Sequence, residues 1–132
     1  MLLRFELGDI VFLSAADSCP SEWDEVPEIF FKNVNVLKLP HHGQIDSISE
    51  SFMKNMQLEY IITTSASDRR YHSANQAVYQ KLAAIFPTEH PPHFLFSDER
   101  EYPPYFSQPE GFQAIKLVMD SGMVIPEFIR IQ

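Results

Sequence analysis

The sequence predicts an α/β fold in which helices pack on a sheet. Two observations lead to this prediction. Short apolar runs typical of strands alternate along the chain with segments of helical periodicity, which is the pattern of layered α/β architectures. The chain has 132 residues, the length of one domain, and 45% of them are apolar, which is enough to fill a core. We therefore expect a single domain over residues 1–132.

The first half of the chain predicts a hairpin, an interrupted helix and a buried strand. The runs LLRFEL and IVFLSA flank Gly8-Asp9 and predict a β-hairpin. Ser21 is the candidate cap of a helix through EWDEVPEIFFKN, which Pro27 should shorten or kink. The β-branched run VNVLKLP ends at Pro40 and predicts a strand that is buried on both faces.

The second half continues the alternation of helices and strands. SESFMKNMQ predicts a short helix capped by Ser49, and EYIITTS predicts the next strand. ANQAVYQKLAAIF is the most regular helical segment, because Ala74, Val78 and Leu82 recur at helical spacing. HFLFS predicts a short strand, DEREYPPYFSQPEG a proline-rich loop, and the last 21 residues predict two strands around Asp120-Ser121-Gly122.

Side chains that can bind metals follow three of the predicted strands. Asp17 follows the second strand, the pair His41-His42 follows the third, and the loop from Ser65 to His72 follows the fourth. Ligands of open α/β sheets bind beyond the carboxyl ends of strands, and Asp and neutral His are ligands of zinc, manganese or iron. Asp17, His41 and His42 are therefore the predicted metal ligands. The alternative is a solvated loop in which one histidine packs and the other hydrogen-bonds a carbonyl.

Composition limits which partners the protein can bind and in which cellular compartment it is expected. The formal net charge of −8 opposes non-specific attraction to nucleic acid and to anionic membranes. The apolar runs are too short to span a bilayer. The single Cys19 excludes an internal disulfide and fits a reducing compartment, so we expect a cytoplasmic protein. We expect no membrane partner, and no nucleic-acid partner for this chain alone.

Residues 2 to 86 resemble a known family. The stretches LRFELGDIVFLSAAD and VNVLKLPHHGQIDS, continued to YHSANQAVYQKL, are similar to the C-terminal half of metallo-β-lactamase-fold hydrolases. Within that fold they resemble the branch of the competence protein ComEC and its stand-alone relatives. Residues 87–132, which hold the proline-rich loop and the C-terminal hairpin, diverge from the family pattern.

The resemblance implies a fold, a metal and a set of roles. The fold would be the C-terminal half of an αββα sandwich, with helices packed on a mixed sheet. Asp17 stands where the family places the aspartate that bridges two metal ions, and one of His41 and His42 stands where the last ligand histidine falls. The sequence leaves open which of the two it is, and we favour His42. His72 matches a histidine above the cleft, with an expected catalytic role in steadying developing charge. The metal implied is zinc or manganese.

The chain departs from the family pattern at several points: AAD stands in place of TGD, HHGQ in place of HHGS, and YHS in place of YGHP. The HxHxDH signature, which supplies most of the first metal site, is absent from all 132 residues. We therefore expect metal to bind weakly or not at all, and hydrolysis of a phosphodiester only if a missing N-terminal half complements the chain. The alternative function is a non-catalytic interaction or dimerisation module, with a homodimer as the expected assembly. A plain α/β binding domain is a third possibility.

Overall fold

The central element of the fold is a mixed five-stranded sheet. The computed structural model describes residues 1–65, 72–86, 89–98 and 109–132. Within these ranges the sheet has the strand order β1-β2-β3-β4-β5. β1 pairs antiparallel with β2, and every other neighbouring pair is parallel. The strands are β1 (Leu3–Leu7), β2 (Ile10–Ser14), β3 (Val36–Lys38), β4 (Tyr60–Thr63) and β5 (His93–Phe96). The predicted α/β class is confirmed.

Both predicted hairpins are present. β1 and β2 meet at the turn after Leu7, with Phe5 opposite Phe12. The C-terminal hairpin consists of β6 (Ala114–Asp120) and β7 (Met123–Ile129), which pair with each other in a separate two-stranded sheet. Gly122 has a φ of 78° in the tight turn between them, a backbone conformation that glycine adopts without steric cost.

The predicted helix after β2 is wrong in its kind and in its cap. The segment forms two 3₁₀ helices, Pro20–Glu25 and Glu28–Phe31, which Pro27 separates as expected. The first is capped by Cys19 and not by Ser21, because the Cys19 backbone N–H donates to the Glu22 carboxylate at 3.0 Å. Pro20 occupies the first helical position, where its fixed φ is favourable.

The other predicted helices are present and shorter than their sequence patterns. Helix α1 (Glu50–Met53) follows Ser49, as predicted, although the Ser49 hydroxyl makes no capping bond. Helix α2 (Gln76–Ile85) is capped by the Asn75 side chain, which accepts from the Ala77 N–H at 3.0 Å. Ala74, which the helical spacing placed in α2, lies before the cap with a φ of 48°.

The helices cover one face of the sheet. The parallel strands are joined in sequence order, and right-handed crossovers in one direction place their connections on the same side. Leu13, Leu37 and Ile61, from adjacent strands, are fully buried on this face. They pack in one cluster with residues of the helical segments: Trp23, Phe31, Met53, Val78, Tyr79 and Leu82.

The C-terminal hairpin packs on the opposite face of the sheet. Val36 lies between Phe12 and Tyr60 across three strands and is fully buried. Val124 of β7 is buried in the same small cluster. The partly buried members that pack around them are Phe12, Tyr60, Ile62, Leu117 and Met119. The sheet therefore has apolar side chains on both faces, as predicted for β3.

Parts of the chain lie outside the described residues. Of the predicted loop from Ser65 to His72, residues 66–71 are outside them, as are residues 99–108 of the predicted proline-rich loop. In the part of the chain that is described, no helix combines the length and apolarity needed to cross a membrane.

Truncation of Ile61 tests the assignment of the central core. Ile61 is fully buried in β4, whereas Ile29 is 66% exposed. Ile61→Ala should lower the free energy of unfolding by about 2–5 kcal/mol, since it removes buried methyl groups and leaves a cavity. Ile29→Ala, the same change at an exposed site, should alter it by less than about 0.5 kcal/mol. Urea unfolding measures both, and equal losses would contradict the assigned core.

Candidate functional site

The candidate site lies at the edge of the sheet where β2, β3 and β4 end. Ser14, Lys38 and Ile62 are register partners across these three parallel strands. The loops that follow the strands therefore leave the sheet at neighbouring positions. This edge is where α/β sheets commonly bind ligands.

The buried Ser18 side chain holds the loop after β2 through two hydrogen bonds. The Ser18 hydroxyl donates to the Ala15 carbonyl at 2.5 Å and accepts from the Trp23 indole N–H at 3.1 Å. Ser18 is buried, while the neighbouring Asp17 carboxylate is exposed to solvent. The anchor therefore fixes the backbone of the loop and leaves Asp17 accessible.

The loops after β2 and β3 are joined through the Ala16 carbonyl. It accepts a hydrogen bond from the His41 backbone N–H at 3.1 Å and another from the Lys38 ammonium at 3.2 Å. Ala16 itself has a φ of 46°, a left-handed conformation that L-residues seldom adopt. A backbone hydrogen bond thus connects the two loops that carry the predicted ligands.

Left-handed backbone is concentrated at this edge. His41, His42 and Gly43 have φ values of 44°, 51° and 71° in succession. Ala74, with a φ of 48°, donates its backbone N–H to the His42 carbonyl at 2.8 Å. Each such conformation at a residue other than glycine costs of order 1–3 kcal/mol and persists only where the surroundings impose it. Strain of this kind is typical of functional sites.

Asp17 and His42 face each other across the two loops. The Asp17 Oδ1 atom lies 3.5 Å from the His42 Nε2 atom. The His42 Nδ1–H donates to the Thr64 carbonyl oxygen at 2.5 Å. This bond requires a proton on Nδ1, and Nε2 is the ring nitrogen that faces Asp17. Ligand histidines in metal sites are oriented by such a bond to a carbonyl.

His41 points away from this pair and toward a different partner set. Its Nδ1 atom is 2.9 Å from Asp46 Oδ2, and the Cys19 sulfur lies 3.7 Å from the same nitrogen. Desolvation, followed by the negative charge of Asp46, raises the pKa of the Cys19 thiol. Cys19, His41 and Asp46 offer three ligand atoms within 4.8 Å of one another.

Lys38 brings a cation to the base of the site. Its ammonium is half-buried beside the Ala16 carbonyl, and burial lowers its pKa while the Asp17 carboxylate acts in the opposite direction. A lysine ammonium therefore lies beside the loop that carries Asp17.

The predicted ligands are divided between two sets. Asp17 and His42 are brought together, whereas His41 joins Cys19 and Asp46. Among the described residues, the Asp17–His42 pair has no third cysteine, histidine or carboxylate ligand atom within 4.8 Å of both. The Asp17–His42 distance is compatible with a shared cation, and two donors are fewer than the three protein ligands usual for catalytic zinc. Their role as metal ligands stays a prediction.

His72 lies two residues before Ala74, where the chain contacts the loop after β3. Ala74 and Asn75 donate to the His42 and Gly43 carbonyls. The His72 side chain is exposed, and its φ is 58°. Its expected catalytic role stays a prediction, as does the contribution of residues 66–71 of the preceding loop.

The sequence reasoning did not identify Cys19 and Asp46 as site residues. Both lie in loops that it had singled out: Cys19 is two residues after Asp17, and Asp46 is three residues after Gly43. A survey of every ligand-type side chain within these two loops would have found them. Their convergence on His41 depends on the left-handed turn, which the sequence pattern does not show.

Substitution of Gly43 tests how closely the loop after β3 packs on α2. A Cβ at Gly43 would lie 2.5 Å from the Tyr79 hydroxyl and 3.2 Å from a Thr63 methyl group. Gly43→Ala should destabilise the fold through left-handed strain of about 1–2 kcal/mol and a further ~1–3 kcal/mol from overpacking. Urea unfolding is the measurement.

Gly122→Ala is the matched control for that substitution. Gly122 has a similar φ of 78° with no atom within 4 Å of an added Cβ. This variant should show the strain alone, because nothing opposes the added methyl group. A loss at Gly122 as large as that at Gly43 would contradict the tight packing of the loop after β3 on Tyr79.

Comparisons with known proteins give one partial match. The chain is 30% identical over 83 residues to ComE operon protein 3 of Bacillus subtilis (strain 168). The aligned stretch covers 62% of this chain and 11% of that protein, so the chain spans about a tenth of the length of its curated relative. No protein-family model matches the chain, and no solved structure matches it significantly. The chain is thus similar to one part of a ComEC-related protein.

Proposed function

We propose that this chain is a ComEC-like domain that supplies the C-terminal ligands of a metal-dependent phosphodiester hydrolase. The observation that carries the proposal is the 3.5 Å approach of Asp17 to His42 at the carboxyl edge of the sheet. These two residues occupy the positions that the resemblance to the metallo-β-lactamase fold assigns to metal ligands. The similarity to part of ComE operon protein 3 is consistent with it.

The packing of the two faces of the sheet also supports the proposed relation to the metallo-β-lactamase fold. Helices pack on one face of the mixed sheet, and the C-terminal hairpin packs on the other face through Val124. A complete αββα sandwich would place a second sheet against this latter face. The exposed apolar residues of β1 are consistent with such a neighbour, since Leu3, Phe5 and Leu7 are 41%, 56% and 58% exposed.

The donor set suits a divalent cation but does not complete a catalytic site. Asp17 offers a carboxylate oxygen, and His42 offers a ring nitrogen whose orientation is set by the Thr64 carbonyl. Zinc and manganese accept both donor types. Catalytic zinc takes three protein ligands and keeps one position open. The other ligands would come from an HxHxDH-bearing segment, and the chain by itself would be inactive.

The residues of this chain have separate roles in the proposed reaction. When bound, the metal would supply a Lewis acid and a water of lowered pKa. Asp17 and His42 hold the ligand edge of the site, and the Ala16 carbonyl keeps their two loops together. Lys38 contributes positive charge for the phosphate group. The proposed role of His72 is to steady negative charge on the substrate or to donate a proton to the leaving group.

Removal of either donor should weaken manganese binding. Mn²⁺ prefers oxygen and nitrogen ligands over thiolates, so it should favour the Asp17–His42 pair over a set that includes the Cys19 sulfur. Asp17→Asn and His42→Ala should each lower the affinity by more than about 10-fold, measured by isothermal titration calorimetry. The matched controls Asp9→Asn and His90→Ala change exposed residues away from this edge and should have no effect.

Two results would contradict the proposal. One is manganese binding that Asp17→Asn and His42→Ala leave as strong as the control variants do. The other is hydrolysis of bis(p-nitrophenyl) phosphate by this chain alone at a rate well above the metal-only background, because the proposal requires further ligands for turnover.

An interaction module is the second candidate function, and one observation favours it. Leu3, Phe5 and Leu7 alternate along β1, so their side chains share one face of the edge strand, where they are exposed. A row of apolar side chains on an edge strand is a typical site of sheet-to-sheet association. This candidate has a second copy of the chain as its partner.

The mass of the protein in solution tests whether the chain forms the proposed dimer. The wild-type chain of 15.3 kDa should form a dimer by light scattering. Phe5→Lys should shift it to the monomer, because a charge in the apolar row opposes burial of that face. Lys116→Ala, an exposed change on the C-terminal hairpin, is the control and should remain dimeric. A monomeric wild type at high concentration would contradict this candidate.

A further inference from the structure

The cluster of Cys19, His41 and Asp46 is separate from the Asp17–His42 pair. The Cys19 sulfur lies 3.7 Å from His41 Nδ1 and 3.6 Å from Asp46 Oδ2. The third side of this triangle, from His41 Nδ1 to Asp46 Oδ2, is 2.9 Å. One sulfur, one nitrogen and one oxygen atom therefore converge from three different positions in the chain.

The separations resemble those around a tetrahedral zinc ion. Zinc binds sulfur at about 2.3 Å and nitrogen or oxygen at about 2.0–2.2 Å, which places its ligand atoms about 3.3–3.6 Å apart. The two distances to the Cys19 sulfur, 3.7 and 3.6 Å, are close to these values, whereas the His41–Asp46 distance of 2.9 Å is that of a hydrogen bond. An ion bound to all three atoms would replace the His41–Asp46 hydrogen bond and move these two side chains apart by about 0.5 Å.

The backbone holds the three residues independently of any ion. The Cys19 N–H is bonded to the Glu22 carboxylate at 3.0 Å. The His41 N–H is bonded to the Ala16 carbonyl at 3.1 Å. The residue after Asp46 is the fully buried Ser47, whose N–H and hydroxyl both donate to the Gln44 carbonyl. The cluster is therefore positioned before a ligand arrives, which lowers the entropic cost of binding.

The same residue types could form a nucleophilic triad, but the geometry opposes that reading. In such a triad the histidine lies between the thiol and the carboxylate, and one ring nitrogen contacts each. Here the Cys19 sulfur is nearly equidistant from both ring nitrogens of His41, at 3.7 and 3.8 Å. The sulfur also contacts the Asp46 carboxylate directly. His41 therefore does not separate the thiol from the carboxylate, as a linear proton relay requires.

We propose that Cys19, His41 and Asp46 form a binding site for a zinc-class divalent cation. The site goes beyond the proposed hydrolase function and does not use the Asp17–His42 pair. Sulfur and imidazole favour zinc and cobalt over magnesium or calcium. The Asp46 carboxylate is half exposed, so the fourth position opens to solvent and can accept water or a further ligand.

Cobalt(II) is the direct probe of this site. It occupies zinc sites, and bonding to a thiolate gives an intense near-ultraviolet charge-transfer band. Cys19 is the only cysteine of the chain, so this band reports Cys19 alone. Titration of the purified protein should show the band with one cobalt per chain, and zinc should displace it. Cys19→Ser should abolish the band.

Further variants separate this site from the Asp17–His42 pair. His41→Ala and Asp46→Asn should weaken cobalt binding by more than about 10-fold, whereas Asp17→Asn should leave the band unchanged. Thermal unfolding of each variant checks that the fold persists, and zinc should raise the Tm of the wild type by more than that of Cys19→Ser.

Three results would overturn the inference. The first is the absence of a charge-transfer band at saturating cobalt in the folded wild type. The second is a band with one cobalt for two chains, which would mean that the sulfur atoms of two molecules meet. The third is loss of the band in Asp17→Asn, which would assign Cys19 to the first pair. Failure of manganese to bind Asp17 and His42 would leave this inference intact.

Discussion

The hydrogen bond from the His41 backbone N–H to the Ala16 carbonyl is the constraint on which the candidate site depends. It joins the loop after β2 to the loop after β3, and these loops carry Asp17, Cys19 and both histidines. Parallel pairing of the two strands brings the loops to the same edge, but pairing alone does not set the distance between them. The hydrogen bonds that the Ala16 carbonyl accepts from the His41 N–H and the Lys38 ammonium set the distance between the loops.

Left-handed backbone at two adjacent residues explains why neighbouring histidines serve different sets. In an extended strand, adjacent side chains point to opposite faces, and in a helix they are about 100° apart. The turn at His41 and His42 directs one ring to Cys19 and Asp46 and the other to Asp17 and Thr64. The close packing of Gly43 on Tyr79 maintains this turn, because a larger residue has no space there. One short turn thereby divides the donors into two clusters.

Both faces of the sheet are apolar, and they are covered differently. The helix side is closed by a continuous cluster with Trp23, Phe31 and Tyr79 in its centre. The opposite side is covered by the hairpin of β6 and β7, which leaves the apolar row of β1 exposed. The proposed hydrolase and the proposed interaction module account for this row by a second sheet and by a second copy of the chain, respectively. The two proposals therefore share one physical cause, an apolar surface that the described residues do not cover.

Local sequence patterns predicted the α/β class, both hairpins, the order of strands and helices, and the positions of Asp17 and the histidine pair at strand ends. These features follow from local periodicity and turn chemistry, which are written in neighbouring residues. The prediction for the segment after β2 was wrong, because Pro20 and Glu22 favour a cap at Cys19 over one at Ser21. The contacts of His42 with Asp17, and of His41 with Cys19 and Asp46, are visible only in the folded chain. That division arises from left-handed backbone imposed by contacts among residues far apart in sequence, and no local pattern encodes such contacts.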